Sequence, residues 1–535
     1  MVSISYRQGE KPIFEYLRQH ALERPEHTAF VWYGREISFR ELNTLSDNFA
    51  AVLWSLGIRK GDRVALFLQN SPQYVIAHIG IQKIGAIVGP CSPLFKAQEL
   101  KYQLEDLGAR VIVADEHLHA LVESVRADTA LEHVFATNYA DMLPASPTMT
   151  LPEQLQQEKL AIPGTIDLLE ALKQDRTPPE VPWEIGDVSL ITYTSGTTGL
   201  PKGVMLTHRS ALYKSFSVAD HNPVKADDVQ LCVTPIYHIA GMLVGINMTL
   251  YAGITTVLLY RFDPINALQA VDHYKVSWWY GASTVLDAVL AHPDVKKYDL
   301  SSLRLNPCTS FGLSVNEELA SRWNKVAPNT IVFEVTYGLS ETHTWDTTMP
   351  VEAIKWGTHG KPVTGVEMRI VDPDTGKEKP VGEAGELLVR SPASFTGYWH
   401  KPEATAKTLR DGWVYTGDIA KLDSDGYLTF IGRYKELIKV SGYSVSPEEV
   451  EVILIQHPYV KQVVVVGADD PVKGQVVKAF VIPDTTQSPV SKEEIIAWSK
   501  QNMSAYKVPK EIVFCDKFPT TGLGKVLRRL LNEKD

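Results

Sequence analysis

Residues Thr192 to Gly203 read TYTSGTTGLPKG, a run of hydroxyls and glycines that ends beside a fixed cation. Gly196 and Gly199 let the backbone turn without a Cβ in the way. Thr194, Ser195, Thr197 and Thr198 supply hydroxyl and N–H donors, and Lys202 supplies positive charge. These are the parts of a phosphate cradle. The spacing is not that of a Walker A loop, because Lys202 follows Gly199 by three residues and precedes Gly203. The competing reading is an ordinary polar turn, since Ser, Thr, Gly and Pro all favour loops. The flanks favour the cradle: 188–193 reads as a strand entering the loop and 204–208 as another leaving it.

Strand-like runs such as 63–68 and 110–114 alternate with helical patterns such as 41–56 and 72–84, the signature of a largely parallel βα sheet. After about residue 360 the texture changes to short strands and turns, at 363–371, 372–376 and 385–390, which predicts a barrel-like or sandwich-like part. From Lys435 a third texture begins: a strand at 437–440, a helix from Pro447, strands at 460–466 and 476–482, and a helix at 491–500. A chain of 535 residues exceeds one hydrophobic core. The expected architecture is α/β: a large N-terminal domain, residues 1–434, and a small mobile α+β domain, residues 435–535. The Pro- and Gln-rich segment 144–182 reads as a surface excursion of the large domain.

Composition narrows the function. A net charge of −10, with no clustered Lys/Arg face, gives nucleic acid no electrostatic footprint. Cys91, Cys232, Cys308 and Cys515 are scattered with no CxxC, so neither a zinc nor a redox motif is present, and the cytosol is the expected compartment. The N-terminal residues lack the apolar core of a signal peptide. Residues 239–260 carry no charge over a membrane-spanning length. Gly241, Gly245, Asn247, Thr249 and Gly253 dilute the run, however, and Gly253 separates a helix-like part from the β-branched 254–260. A buried helix feeding a buried strand is therefore expected, with no transmembrane segment.

Five further blocks follow the loop: Pro235–His238, Tyr337–Thr342, Tyr415–Asp418, Gly432–Gly442 and Pro519–Lys525. With them the chain resembles, over roughly 14–531, the acyl- and aryl-CoA synthetases of the adenylate-forming, AMP-binding family, which includes luciferases and peptide-synthetase adenylation domains. The resemblance implies ATP, Mg²⁺ and coenzyme A acting on a small carboxylic acid. The carboxylate is first joined to the α-phosphate of ATP with loss of pyrophosphate, and the acyl adenylate is then attacked by the CoA thiol. Two anions meet in the first step, so preorganised cations are needed.

The resemblance assigns Glu341 and Thr194 to the metal or its phosphate shell. It assigns Thr194, Ser195, Gly196, Thr197, Thr198, Gly199, Lys202, Gly312, Thr336, Tyr337, Thr342, Asp418, Arg433 and Lys525 to ATP, with Asp418 holding the ribose hydroxyls. Lys525 is the expected catalytic cation of adenylation, joined in the catalytic set by Glu341, Thr194, Lys202 and His238. The acyl pocket is expected at His238, Tyr280, Gly281, Phe311, Gly312, Gly338, His343 and Trp345, near Trp278, Trp279 and Ala282. His238 and these aromatics read equally as core. Lys439, Ser441 and Gly442 are expected at CoA, and Lys435 at the hinge of a domain rotation that exchanges Lys525 for the thiol. Two stretches depart from the family: Leu523 stands where serine is usual, and 309–314 lacks the usual glycines and proline.

An apolar fatty or aryl acid is expected, because no Asp and Lys pair suits an amino acid. The leading reading is an acid:CoA ligase, since the chain ends shortly after Lys525 with no carrier domain. A stand-alone adenylation enzyme loading a carrier protein, a luciferase-type oxidation and an inactive nucleotide-binding sensor are the alternatives. A homodimer is left open as the assembly.

Overall fold

Ser71 begins a helix by accepting a hydrogen bond from Tyr74 N, and Pro72 occupies the first turn, where its missing N–H costs nothing. The helix, Pro72–Lys83, is buried on every side. It packs against Phe39–Ser55, which turns Phe39, Leu42, Ser46, Phe49 and Leu53 inward at helical spacing. Pro72–Lys83 packs against Arg63–Phe67 and Ile87–Pro90 of one large sheet, and Phe39–Ser55 against Thr28–Trp32 and Arg35–Ser38 of the other. The computed structural model describes residues 4–194, 200–310, 313–440, 443–470, 474–503, 505–520 and 526–532.

The chain divides into two compact units, Met1–Glu367 with Arg390–Val414, and Met368–Val389 with Tyr415–Asp535. In the first unit, one eight-stranded sheet runs in the order Gly397–Tyr398, Gly203–Thr207, Val188–Tyr193, Ile87–Pro90, Arg63–Phe67, Val111–Asp115, His133–Thr137 and Ile166–Asp167. Its pairs are parallel from Val188–Tyr193 onward and antiparallel across the hairpin edge. The second eight-stranded sheet is parallel through Leu305–Thr309, Trp278–Trp279, Val229–Cys232 and Thr255–Leu258 to Thr28–Trp32, with Ile331–Glu334 also paired to Leu305–Thr309.

Ligands of such sheets bind beyond the carboxyl ends of the strands. Asn70 ties those ends together. Buried just past Arg63–Phe67, it donates to Thr234 O at 3.1 Å and Leu259 O at 3.0 Å, and its Oδ1 accepts from Ile236 N at 2.8 Å.

The uncharged run 239–260 is a buried helix and strand. Ile239–Met242, a π-helical Leu243–Met248 and Thr249–Ala252 are followed by Gly253 at φ 67° and the strand Thr255–Leu258. No helix among the described residues is long and apolar enough to cross a membrane. The segment 144–182 is more than a surface excursion. It contributes the edge strand Ile166–Asp167 and the helix Leu168–Leu172, whose Leu168, Ala171 and Leu172 are buried and whose Leu172 carbonyl accepts from Asn48.

The short-strand region forms a five-stranded sheet of Glu367–Val371, Gly385–Arg390, Trp413–Leu422 and Leu409–Arg410, with Leu428–Arg433 paired to Trp413–Leu422. C-terminal to it, Val460–Asp470 and Gly474–Pro483 form a long antiparallel pair. Ile438–Val440, Tyr443–Val445 and the parallel Glu511–Phe514 complete that sheet. Helices Pro447–Leu454 and Lys492–Asn502 accompany it, and its core includes Val450, Leu454, Val465, Ala479, Val481, Ile495 and Ile512.

Candidate active site

Two paired strands flank the cradle residues in the chain. Val188–Tyr193 and Gly203–Thr207 pair antiparallel, and Thr194 N donates to Lys202 O at 3.1 Å to close the base. Ser195, Gly196, Thr197, Thr198 and Gly199 lie outside the described residues. The foot of the hairpin is braced by side chains that sequence reasoning did not single out. Asp106 accepts from Tyr193 Oη at 2.8 Å and from Lys401 Nζ at 3.1 Å, and its carbonyl accepts from Trp399 Nε1 at 2.9 Å. Tyr102 Oη donates to Pro201 O at 2.7 Å.

Gly397–Tyr398 pairs with Val204 and Met205, bringing Tyr398 beside the loop from far along the chain. The Lys202 ammonium lies 4.5 Å from the Tyr398 ring centroid, and Tyr398 Oη donates to Glu341 Oε1 at 2.6 Å. One buried tyrosine thus joins the cradle's cation to the expected metal ligand. Nothing local in the sequence marks Tyr398, since its role arises from strand pairing.

Glu341 occupies the single turn Ser340–Thr342, half-buried, with its carbonyl accepting from Phe395 N at 2.7 Å. The backbone then does something unusual: His343, Thr344 and Trp345 have φ of 59°, 58° and 56°, three consecutive left-handed residues without a glycine. Gly338 makes room for them, because a Cβ there would lie 2.3 Å from Trp345 N. Thr344 N donates to Leu339 O at 2.7 Å and Asp346 N to Tyr337 O at 2.8 Å. Thr342 turns its hydroxyl to the Asp346 carboxylate. Thr336 donates to Thr347 O at 2.6 Å, and Tyr337 N donates to Thr347 Oγ1 at 2.8 Å. Asp346 is ion-paired with Lys214 at 2.6 Å, both side chains fully buried.

Of the expected acyl-pocket residues, Tyr280 and Trp345 come together, with ring centroids 5.4 Å apart, and Tyr280 Oη lies 3.0 Å from Thr309 Oγ1. Gly281 and Ala282 pair with Cys308 and Thr309. His343 is buried, and burial pushes its imidazole down to about 3, so it is neutral. Trp279 packs edge-on against Trp323 at 6.0 Å, and Trp278 is likewise buried on its strand. His238 is half-buried and caps the helix Ile239–Met242, its Nδ1 accepting from Ala240 N at 3.4 Å. Phe311 and Gly312 lie outside the described residues.

Glu334 is buried and accepts from Ser310 N at 3.0 Å and from the Ser310 hydroxyl, whose Oγ accepts in turn from Val315 N at 2.9 Å. Burial pushes the Glu334 carboxyl up to about 7, against the opposing pull of the Ser310 hydrogen bonds.

In the second unit Asp418 and Arg433 face each other across antiparallel strands, with Arg433 Nε 3.3 Å from Asp418 Oδ1. Thr416 shapes the turn before Asp418, donating to Leu387 O at 2.7 Å and accepting from Asp418 N at 3.0 Å. Lys435 lies in the turn Tyr434–Glu436, and Lys439 on Ile438–Val440 pairs with Ser444. Ser441, Gly442 and Lys525 lie outside the described residues. Arg528, near the chain end, meets Glu436 at 2.8 Å, Glu448 at 2.6 Å and Glu451 at 2.8 Å. The segment that follows Lys525 is therefore anchored.

No group of three or more His, Cys, Asp or Glu among the described residues could enclose a metal. Mg²⁺ does not require one, since it is commonly held by one or two carboxylates together with substrate phosphates and water. Glu341 fits that pattern. Oε1 takes the Tyr398 hydroxyl, and Oε2 has no hydrogen bond among the described residues.

A hairpin bearing Lys202 and the carboxylate of Glu341 are joined through Tyr398 at one end of the parallel sheets. Comparison with known proteins gives the family: residues 17–399 match the AMP-binding enzyme model and 449–525 match the AMP-binding enzyme C-terminal domain, and the chain belongs to this family. It is 33% identical to a long-chain-fatty-acid–CoA ligase of Bacillus subtilis, over 98% of this chain and 95% of the relative. It is 34% identical to a feruloyl-CoA synthase of an Amycolatopsis species, over 94% and 95% of the two chains. Among solved structures, ATP-bound MatB from Rhodopseudomonas palustris superposes with a TM-score of 0.86 at 27% identity, covering 98% of this chain and 99% of that one. The anthranilate CoA ligase AuaEII in complex with anthranoyl-AMP matches equally, with a TM-score of 0.86 at 29% identity over 98% and 97%.

Proposed function

We infer that the chain is an ATP-dependent acid:CoA ligase that activates an apolar fatty or aryl carboxylic acid as its adenylate and then transfers the acyl group to CoA. The observation that carries this reading is the convergence of Lys202, Tyr398 and Glu341 beside Thr194. Adenylation forms the bond from a carboxylate oxygen to the α-phosphorus and breaks the bond to pyrophosphate. Lys202 and the hairpin tip bind the polyphosphate, and Mg²⁺ held by Glu341, with Thr194 in its phosphate shell, would neutralise charge there. Asp418 accepts the ribose hydroxyls, with Arg433 orienting its carboxylate.

Lys525 supplies the ammonium between the acid and the α-phosphate. The segment 435–535, hinged at Lys435, then withdraws it so that CoA, approaching along Lys439, Ser441 and Gly442, brings its thiol to the same carbonyl. The thiolate displaces AMP, completing the thioester. The Tyr280 and Trp345 rings give the acid an apolar wall. Cytosol is the compartment we propose. The test is acid-dependent pyrophosphate release across short, medium, long-chain and aromatic acids, with and without CoA. Thioester formed in proportion to pyrophosphate supports the ligase. Pyrophosphate release with no CoA consumption points to a carrier-protein acceptor, and no release with any acid overturns the enzyme reading.

A further inference from the structure

Left-handed backbone is costly for an ordinary residue, and β-branched and bulky side chains such as Thr344 and Trp345 are poor occupants. Three in succession persist only where the surroundings over-determine them. The hydrogen bonds from Thr344 N and Asp346 N are internal to the turn, and a simple loop could relax and keep them. Among the described residues, one side chain from another element hydrogen-bonds the left-handed residues 343–345 from outside. Lys214 Nζ donates to Trp345 O at 3.0 Å and to Asp346 Oδ1 at 2.6 Å, while the other Asp346 oxygen takes the Thr342 hydroxyl. Lys214 therefore holds the last left-handed residue by its carbonyl and the first turn, through Asp346, by Thr342.

The placement gives this grip a use. Thr342 follows the metal-ligand candidate Glu341, and Trp345 faces Tyr280 in the candidate acid pocket. Lys214 itself rides on the helix His208–His221, which starts at the Thr207 cap where the phosphate hairpin ends. One ammonium thus registers hairpin, metal ligand and pocket wall.

We propose that Lys214 is a positioning residue: by latching Trp345 O and Asp346 it fixes residues 343–345 in the left-handed conformation, and so sets the Mg²⁺ requirement and the acid preference together. The proposal rests on the roles given above to Glu341 and Trp345. A purely structural ion pair would change the amount of folded enzyme. It would not change the Mg²⁺ concentration for half-maximal adenylation or the relative kcat/KM of competing acids, since neither depends on how much enzyme is active.

Lys214→Met alone leaves Asp346 buried and unpaired and risks unfolding. Lys214→Met/Asp346→Leu removes both charges together, and replacing a buried ion pair by apolar residues is commonly tolerated. In that double variant, folded by circular dichroism, we expect the Mg²⁺ midpoint of pyrophosphate release to rise at least tenfold. The relative kcat/KM of hexanoate, dodecanoate and benzoate should shift at least fivefold. Parent values for either quantity overturn the latch. Glu341→Gln and Trp345→Leu are run in parallel. If they leave the Mg²⁺ midpoint and the acid ranking unchanged, the reading of the site fails and the latch falls with it. If they respond while the double variant does not, the latch alone is wrong.

Discussion

The foot of the hairpin that carries Lys202 and the turn behind Glu341 are both held by a lysine and an aspartate, but in different media. At the foot, Lys401 is 40% exposed and Asp106 also receives Tyr193 and Trp399. At the turn, Lys214 and Asp346 are both 0% exposed, and the strained carbonyl they secure has no other outside donor among the described residues. An exposed pair is screened and contributes 0–1 kcal/mol in about the median case. A buried pair that loses one member leaves a charge without solvent or partner. The hairpin is thus supported redundantly, by strand pairing and several weak contacts, whereas the left-handed Trp345 carbonyl takes its one outside hydrogen bond among the described residues from a single ammonium.

The contrast breaks most visibly at its buried end. Lys214→Met should lower unfolding stability by roughly 3–5 kcal/mol, measured by denaturant titration, with much of the loss recovered when Asp346→Leu is added. A loss below about 1 kcal/mol would make the two regions alike.

Glu334 sharpens the contrast, being a buried carboxyl with no ion-paired cation among the described residues. Its folded value of about 7 lies above the ordinary 4.5, so the native state binds more protons between those limits. Stability should therefore be highest at the acid side of that window, fall by about 3 kcal/mol as pH rises through it and level off above pH 7. Glu334→Gln should flatten that part of the pH–stability curve, and an unchanged slope would assign the dependence elsewhere.

Next in size, Tyr398→Phe removes a hydrogen bond to an ionised acceptor, a loss of about 1.5 kcal/mol, or roughly tenfold in the Mg²⁺ requirement of adenylation. A lowered requirement would mean that the hydroxyl competes with the metal rather than aiming its ligand. Smallest of all, Lys401→Met should change stability by less than about 1 kcal/mol and leave the Mg²⁺ midpoint in place. A large effect in a thermal melt would show the foot to be as dependent on one cation as the turn.

These differences track what the sequence discloses. Hydrophobic period and capping are local, so the helix at 72–84, the hairpin around the cradle, the break at Gly253 and the alternation beyond Lys435 are legible from neighbouring residues. The short strand Ile166–Asp167 is not, because two residues carry no period and the Pro- and Gln-rich surroundings resemble a loop. The site divides in the same way. Glu341 and Asp418 stand in recognisable blocks, but Tyr398, Asp106, Lys214 and Asp346 act on partners distant in sequence. The left-handed run at 343–345 is built from His, Thr and Trp rather than Gly or Asn, so composition hides it, and Gly338 is the one local hint. Arg528 was legible only as one charge among several near the chain end, yet it meets three carboxylates.

The first large sheet closes both of its borders with two-residue strands, Ile166–Asp167 on one side and Gly397–Tyr398 on the other. Brief border strands discourage pairing with foreign chains. They also impose an order during synthesis. Residues up to Thr207 can assemble most of that sheet as they leave the ribosome, but the backbone of Gly203–Thr207 stays uncovered until the chain has been made as far as Tyr398. Through that interval the nascent protein presents a bare strand. That strand is where a stalled or truncated chain would stick to its neighbours, and a holding chaperone would find its target there.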